Sequence, residues 1–182
     1  MTGSSLFVLG GARSGKSRYA QARAEADAKG IDGSLVFVAT AEAFDDEMRS
    51  RIAQHRADRD GRWRTVEAPR DLPAVIDALS GKRAVVLVDC LTLWLSNLLL
   101  AGADLAQAAT ALCAAIGRFD GRLILVSNEV GWGIVPDNAL ARQFRDEAGR
   151  LNQVVAAAAD EVVLIAAGLP MHFKIADNRP SA

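Results

Sequence analysis

The sequence is poor in cysteine and aromatic residues, and it has no excess of charge of either sign. Cys90 and Cys113 are the only cysteines among 182 residues, and neither belongs to a C-x-x-C pair. A disulfide framework and a cysteine-based zinc site therefore find no support, and a reducing, cytoplasmic setting is favoured. With 21 basic and 22 acidic residues the net charge is -1, so the charge balance favours neither nucleic acid nor an anionic membrane as a partner.

The sequence also lacks a long apolar run. The first run, Leu6–Leu9, is too short for a signal peptide and has no basic flank. The most apolar later stretch, Leu91–Ala101, is interrupted by Thr92, Ser96 and Asn97 and falls well short of the length that spans a bilayer. We therefore expect a soluble, cytoplasmic protein with no membrane span and no nucleic-acid partner.

Apolar runs bounded by turn residues alternate along the chain with segments of helical composition. The runs are typical of strands buried on both faces of a parallel sheet, and they lie at Leu6–Leu9, Leu35–Ala39, Ala84–Val88, Leu123–Val126 and Val162–Ala166. The predicted helices are Lys16–Lys29, Asp45–Arg59, Leu72–Leu79, Leu91–Leu100, Leu105–Arg118 and Ala139–Ala159. This alternation predicts an α/β fold with a doubly wound, mostly parallel sheet. Arg64–Glu67 is a candidate for one more short strand, and the lack of a linker or repeat predicts a single domain over residues 1–182.

A phosphate-binding motif lies between the first predicted strand and the first predicted helix. It satisfies G-x-x-x-x-G-K-[ST] and consists of Gly10, Gly11, Ala12, Arg13, Ser14, Gly15, Lys16 and Ser17. The glycines let successive backbone N–H groups converge on the phosphates of a nucleotide, assisted by the positive end of the helix dipole. Lys16 is expected to reach the β- and γ-phosphates, and the Ser17 hydroxyl to bind Mg²⁺. For Arg13, a contact with phosphate and simple exposure both remain open.

A metal-binding acid is expected on a neighbouring strand. The run Val85–Asp89 has four apolar residues followed by one carboxylate, so Asp89 is the candidate that holds Mg²⁺ through water. The alternative is that Asp89 only caps the helix that follows.

His55 lies on the same predicted helical stripe as Met48 and Ile52, at i, i+4 and i+7. A histidine on an apolar stripe either packs with a hydrogen bond or, beside a bound triphosphate, attacks phosphorus as a nucleophile and forms a phosphoramidate. Further along the chain, the segment 130–136 places Trp132 between two glycines. It predicts either a cover over a bulky ligand or packing of Trp132 and Ile134 beneath the next helix.

An ordered set of motifs resembles one enzyme family over nearly the whole chain. The matching segments are Gly10–Ser17, Ala39–Ala41, Asp46–Met48, Arg51–Arg56, Trp63–Glu67, the strand that ends at Asp89, Asn128–Gly131, Gly133–Pro136, Phe144–Asp146 and Ala148–Gln153. The family is the bifunctional adenosylcobinamide kinase and adenosylcobinamide-phosphate guanylyltransferase of cobalamin biosynthesis. The resemblance implies a RecA-like P-loop fold, Mg²⁺ as cofactor, ATP and GTP as substrates, adenosylcobinamide and its phosphate as acceptors, and a homotrimer.

The resemblance also implies residue roles. His55 matches the histidine that carries GMP as a covalent intermediate, and the nucleotide contacts beyond the loop fall on Val38, Ala39, Thr40, Glu67 and Asp89. Two other readings stay open at this point. A regulatory GTP-binding switch calls for Asn-Lys-x-Asp after a strand, whereas this chain has Ser127–Val130 there. A P-loop small-molecule kinase without nucleotidyl transfer differs only in making His55 structural.

Overall fold

The structure is a computed structural model, and it describes residues 3–31, 33–42 and 61–176. In these ranges the strands are β1 (Ser4–Gly10), β2 (Ser34–Ala39), β3 (Trp63–Glu67), β4 (Ala84–Asp89), β5 (Arg122–Asn128), β6 (Glu161–Ala166) and β7 (Leu169–Lys174). The helices are α1 (Lys16–Ile31), α2 (Leu72–Leu79), α3 (Leu91–Leu100), α4 (Leu105–Arg118) and α5 (Ala139–Ala158).

The strands form one seven-stranded sheet in the order β3-β2-β4-β5-β1-β6-β7. Neighbouring strands run parallel from β3 to β6, and β7 runs antiparallel to β6. The predicted fold class, a doubly wound, mostly parallel sheet of the RecA-like P-loop type, is confirmed. Every predicted strand is present, including the short one near Arg64, which is β3. The predicted helix Asp45–Arg59 lies outside the described residues.

The last strand, β7, was not predicted. It carries Pro170, which cannot donate to a hydrogen-bond ladder and argues against a strand in a central position. β7 pairs only with β6 among the described strands, at one edge of the sheet, where a proline is tolerated. All its residues are exposed, so it has no continuous apolar run of the kind that identified the inner strands.

The inner strands are buried on both faces because successive side chains point to opposite sides of the sheet. On β1, Phe7 packs with the core that α2, α3, α4 and α5 cover, while Leu6 and Val8 pack with the core beneath α1. On the α1 side, Ala20, Ala24 and Ala28 lie one above another on a single helix face and bring α1 close to the sheet. None of the described helices is long and apolar enough to cross a membrane.

The amino ends of β1, β5 and β6 are joined by a charged cluster. Arg122 is buried and pairs with Asp27 of α1 at 2.7 Å and Glu161 of β6 at 2.8 Å. This cluster lies at the amino ends of the strands. The phosphate-binding motif follows the carboxyl end of β1 and therefore lies at the other end of the strands.

Candidate active site

The phosphate-binding motif folds as a compact loop between β1, which ends at Gly10, and α1, which begins at Lys16. Two of its residues adopt the left-handed backbone conformation, Arg13 with φ 55° and Gly15 with φ 96°. The Ser14 N–H donates to the Gly11 carbonyl at 3.3 Å, and the Tyr19 N–H donates to the Gly15 carbonyl at 3.0 Å as the first turn of α1 forms. Gly10 leaves no room for a side chain, since a Cβ there would lie 2.8 Å from the Ile165 carbonyl oxygen.

Lys16 is the buried cation of the loop. Lys16 is only 9% exposed, and its Nζ donates to the Gly11 carbonyl at 3.2 Å, so the ammonium group folds back over the loop. A buried ammonium with a backbone carbonyl as partner suits a site that receives an anionic ligand, because phosphate oxygens would supply the opposite charge.

The carboxyl ends of the strands bring the predicted acids to the same edge as this loop. Ala39 at the end of β2 pairs with Glu67 on one side and Asp89 on the other, so both carboxylates flank one register position. Gly10 at the end of β1 pairs with Asn128 of β5. The N-cap residue of α3 is Cys90, so the alternative in which Asp89 serves only as that cap is wrong.

Thr40 is fully buried, and its hydroxyl binds the backbone of Cys90, the residue that follows the neighbouring strand β4. Its Oγ1 donates to the Cys90 carbonyl at 2.7 Å and accepts from the Cys90 N–H at 2.8 Å, across a cis peptide bond between Asp89 and Cys90. The Thr40 carbonyl accepts from Asn97 Nδ2 at 2.8 Å. Val38 is also fully buried, in the core. Nucleotide contact at Val38, Ala39 and Thr40 therefore stays a prediction, and the side chains of Val38 and Thr40 already have structural roles.

A polar cluster behind the loop was not predicted from sequence. Thr92 Oγ1 on α3 accepts from the Asn128 N–H at 2.7 Å and from Asn128 Nδ2 at 3.1 Å, and it lies 3.3 Å from Ser127 Oγ. Asn128 Nδ2 also lies 3.7 Å from Cys90 Sγ. The available signals were a threonine near the start of a mostly apolar helix and polar residues directly after an apolar strand. Their pairing depends on the strand order, which sequence patterns do not give.

The pKa of the Cys90 thiol is affected by charges at the carboxyl ends of the strands. Burial, and after it the negative charge of Asp89, raise the pKa of its thiol to about 11, while the positive charge of Lys16 opposes this rise. Asp89 at the end of β4 and the loop that follows β1 lie at the same end of the parallel strands, so the cation of the loop and the predicted metal-binding acid are on one side of the sheet.

The segment that follows β5 is anchored at the phosphate-binding loop and then exposed. The Glu129 N–H donates to the Gly10 carbonyl at 3.1 Å, and the Glu129 carboxylate accepts from the Gly131 N–H at 2.7 Å. Beyond that anchor Trp132 is 75% exposed and Ile134 is 98% exposed. The alternative that these two side chains pack beneath the next helix is wrong, and a role as a cover over a ligand stays a prediction.

A separate apolar cavity of about 710 Å³ lies between α3, α4 and α5. Its walls include Trp94, Leu98, Leu105 and Val154, and no residue of the phosphate-binding loop lines it. Its charged wall residues, Glu147 and Arg150, form an ion pair with each other. The prediction that the nucleotide binds at the carboxyl ends of the strands does not involve this cavity.

Comparison with known proteins decides the family. A family model described as cobinamide kinase / cobinamide phosphate guanyltransferase matches residues 6–173. The chain belongs to this family. It is 46% identical over 170 residues to the bifunctional adenosylcobalamin biosynthesis protein CobP of Pseudomonas aeruginosa, covering 92% of this chain and 96% of that protein. It is 43% identical over 184 residues to the protein of that description named CobU in Escherichia coli, covering 93% and 99%.

A third member of the cobinamide kinase / guanyltransferase family, CobU of Salmonella typhimurium, is 42% identical over 184 residues and covers 93% of this chain. The resemblance drawn from the ordered motifs is therefore confirmed. Membership makes this chain an enzyme of the family and accounts for its phosphate-binding loop. His55 lies outside the described residues, so its role stays a prediction.

Proposed function

We propose that this chain carries out both reactions for which its family is named, at the carboxyl edge of the sheet. In the first, adenosylcobinamide is phosphorylated by a nucleoside triphosphate, and in the second, GMP is transferred from GTP to that phosphate. The single observation that carries the proposal is the buried Lys16 in its phosphate-binding loop, at the same end of the sheet as Asp89.

In the kinase step, the aminopropanol hydroxyl of adenosylcobinamide forms a bond to the γ-phosphorus, the bond from the γ-phosphorus to the β,γ-bridging oxygen breaks, and the hydroxyl proton passes to water. The nucleoside diphosphate departs. Such a transfer depends on positioning and on charge stabilisation more than on covalent help from the protein. Lys16 holds the β- and γ-phosphates, and the backbone N–H groups of residues 10–17 orient them.

Ser17 and Asp89 would hold Mg²⁺. One hydroxyl, one carboxylate, phosphate oxygens and waters make a donor set that suits this small, hard cation. When bound, Mg²⁺ supplies charge neutralisation at the phosphates.

In the guanylyl step, an imidazole nitrogen of His55 attacks the α-phosphorus of GTP, a P–N bond forms and pyrophosphate leaves. A phosphate oxygen of adenosylcobinamide phosphate then attacks the same phosphorus, the P–N bond breaks and adenosylcobinamide-GDP forms. Imidazole has an ordinary pKa near neutrality, so it is available unprotonated without a stronger base beside it. Val38, Ala39, Thr40 and Glu67 are proposed as further nucleotide contacts.

The experiment uses purified protein, Mg²⁺, adenosylcobinamide and both nucleotides, with products separated by chromatography and identified by mass. We expect wild type to give adenosylcobinamide phosphate and adenosylcobinamide-GDP. Lys16→Met should lose both products, because both reactions need the phosphates held. His55→Ala should keep the first product and lose the second. If His55→Ala makes both products at the wild-type rate, His55 does not carry GMP and another group must, whereas wild type that makes only adenosylcobinamide phosphate would favour the kinase-only alternative.

We also propose that the chain forms a homotrimer in the cytoplasm. An apolar row on β7, which consists of Leu169, Met171, Phe173 and the following Ile175, is exposed to solvent. Exposed rows of this kind on an edge strand favour association with another chain. The free cysteines, Cys90 and Cys113, fit a reducing compartment.

A further inference from the structure

The β6–β7 hairpin touches the phosphate-binding loop at its turn. Ala166 pairs with Leu169, so the connection consists of Ala167 and Gly168 alone. Both have positive φ, 51° and 82°, as in the tight turns that suit hairpins. The Gly168 N–H donates to the Ser14 carbonyl at 2.9 Å. The two backbones are in van der Waals range, since a Cβ on Gly15 would lie 3.4 Å from the Gly168 Cα.

This hydrogen bond fixes the direction of one particular peptide group. The Ser14 carbonyl and the Gly15 N–H belong to the same planar, trans peptide, so they point in opposite directions. When the carbonyl points at Gly168, the Gly15 N–H points away from the hairpin. Gly15 is one of the loop residues whose N–H groups are expected to surround the phosphates.

Ala167 and Gly168 are exposed, so packing in a core does not hold the turn in place. All residues of β7 are exposed, so the strand adds no side chain to either core. Its far end is held by Lys174, whose Nζ donates to the Ala157 and Ala159 carbonyls at the end of α5. Ala167 also adopts a left-handed conformation that is unfavourable for a residue with a Cβ. A strained turn on an exposed hairpin that meets a functional loop indicates a role at that loop.

We propose that the Ala167–Gly168 turn is a positioning element of the nucleotide site, which holds the Ser14–Gly15 peptide in the orientation that phosphates require. This rests on the proposed function, in which residues 10–17 bind the nucleotide. Gly168 touches no substrate and acts through Ser14. The ligand affected is the nucleoside triphosphate and not the corrinoid.

The test measures the affinity of each variant for α,β-methylene GTP with Mg²⁺, an analogue that cannot lose pyrophosphate. Gly168→Pro removes the donor, and Gly168→Ala keeps it. Gly81→Pro is the matched control, because Gly81 also has a positive φ, 72°, and its N–H donates to the Asp120 carbonyl at 2.9 Å near the opposite edge of the sheet. Thermal unfolding is recorded for every variant.

We expect Gly168→Pro to weaken binding of the analogue about tenfold or more, and to raise the KM for nucleotide without changing the KM for adenosylcobinamide. Gly168→Ala should stay within about threefold of wild type, since its N–H remains. Gly81→Pro should lose thermal stability but keep wild-type affinity. Wild-type affinity in a folded Gly168→Pro, or equal weakening in Gly81→Pro, would overturn the inference.

A second measurement applies if Gly168→Pro does not fold. Amide hydrogen exchange of wild type is compared with and without the analogue, and binding should slow exchange at Gly168 while leaving Gly81 unchanged, because coupling between two sites is reciprocal. If the analogue binds but exchange at Gly168 does not change, the proposed role of the turn is overturned and the proposed nucleotide site is not. Failure of wild type to bind the analogue would instead overturn the proposed nucleotide site, and the inference with it.

Discussion

At the scale of single residues, Thr40 stabilises the backbone at the carboxyl end of β4 with its buried hydroxyl. Its hydroxyl satisfies both the N–H and the carbonyl of Cys90, and all these groups are buried. Replacing Thr40 by Val keeps the shape but leaves the Cys90 groups without this partner, which should lower the free energy of unfolding by about 1–3 kcal/mol. Urea unfolding measures this. Thr40→Ser should recover most of the loss.

Thr110→Val provides the matched control for Thr40. Thr110 is exposed, and its hydroxyl donates to the Ala106 carbonyl of the same helix at 2.9 Å, so water can replace that bond. Loss of the Thr110 hydroxyl in Thr110→Val should change the free energy of unfolding by less than about 0.5 kcal/mol. Equal effects at both positions would contradict a structural role that is specific to Thr40.

The two cysteines should differ in reactivity. Burial raises the pKa of Cys90 to about 11, whereas Cys113 is half-buried with a pKa that burial also raises. At pH 8 only about one Cys90 thiol in a thousand is then ionised, and the thiolate is the reactive form. Iodoacetamide followed by peptide mass analysis should find Cys113 modified first and Cys90 only after unfolding. Modification of native Cys90 before Cys113 would contradict this burial.

At the scale of elements, Glu25 ties α1 to β3. Hydrogen bonds from Gln21 and Trp63 and the charge of Arg62 lower the pKa of the Glu25 carboxyl, against the opposing effect of burial. A carboxyl whose pKa is lower in the folded than in the unfolded state stabilises the fold above its unfolded pKa. That contribution disappears as the pH falls through the folded pKa.

Glu25→Gln should therefore reduce the free energy of unfolding at pH 7 by up to about 1 kcal/mol, and the difference from wild type should shrink as the pH falls through the folded pKa of Glu25. Chemical denaturation at pH 7 and pH 3 measures this. Glu147→Gln, which removes an exposed pair with Arg150 on α5, is the control. A deficit in Glu25→Gln that persists unchanged at pH 3 would show that packing, and not charge, is responsible.

The elements differ in how far sequence predicts them. The inner strands lie between two layers of helices and are buried on both faces, so each contains a continuous apolar run. These strands are β1, β2, β4, β5 and β6. Edge strands lack this constraint. β3 was only a candidate, and β7 was missed because its side chains are exposed and Pro170 interrupts the pattern.

The same distinction holds for the site. The loop at residues 10–17 was predicted because its chemistry depends on one local spacing, and Asp89 because it ends a buried strand. The contacts of Thr92 with Asn128, and of Gly168 with Ser14, join residues far apart in sequence. They follow from strand order and from the turn of an edge hairpin, which local patterns do not contain.

At the scale of the whole molecule, the apolar row on β7 should govern self-association. Phe173 is 65% exposed, and burying it between copies removes apolar surface from water. Phe173→Lys should shift the molar mass, measured by light scattering after gel filtration, from a trimer towards a monomer. Leu100→Lys, on the end of α3, is the control. A trimer that survives Phe173→Lys but dissociates in Leu100→Lys would place the interface elsewhere.

The most direct test of the account is the covalent intermediate, because a kinase or a GTP-binding switch has no reason to form one. Purified protein is incubated with Mg²⁺ and GTP labelled at the α-phosphate, then denatured, and wild type is compared with His55→Ala. We expect label on wild type that resists alkali, is lost in acid and is absent from His55→Ala. Wild type that binds GTP yet carries no label would contradict the guanylyl-histidine step.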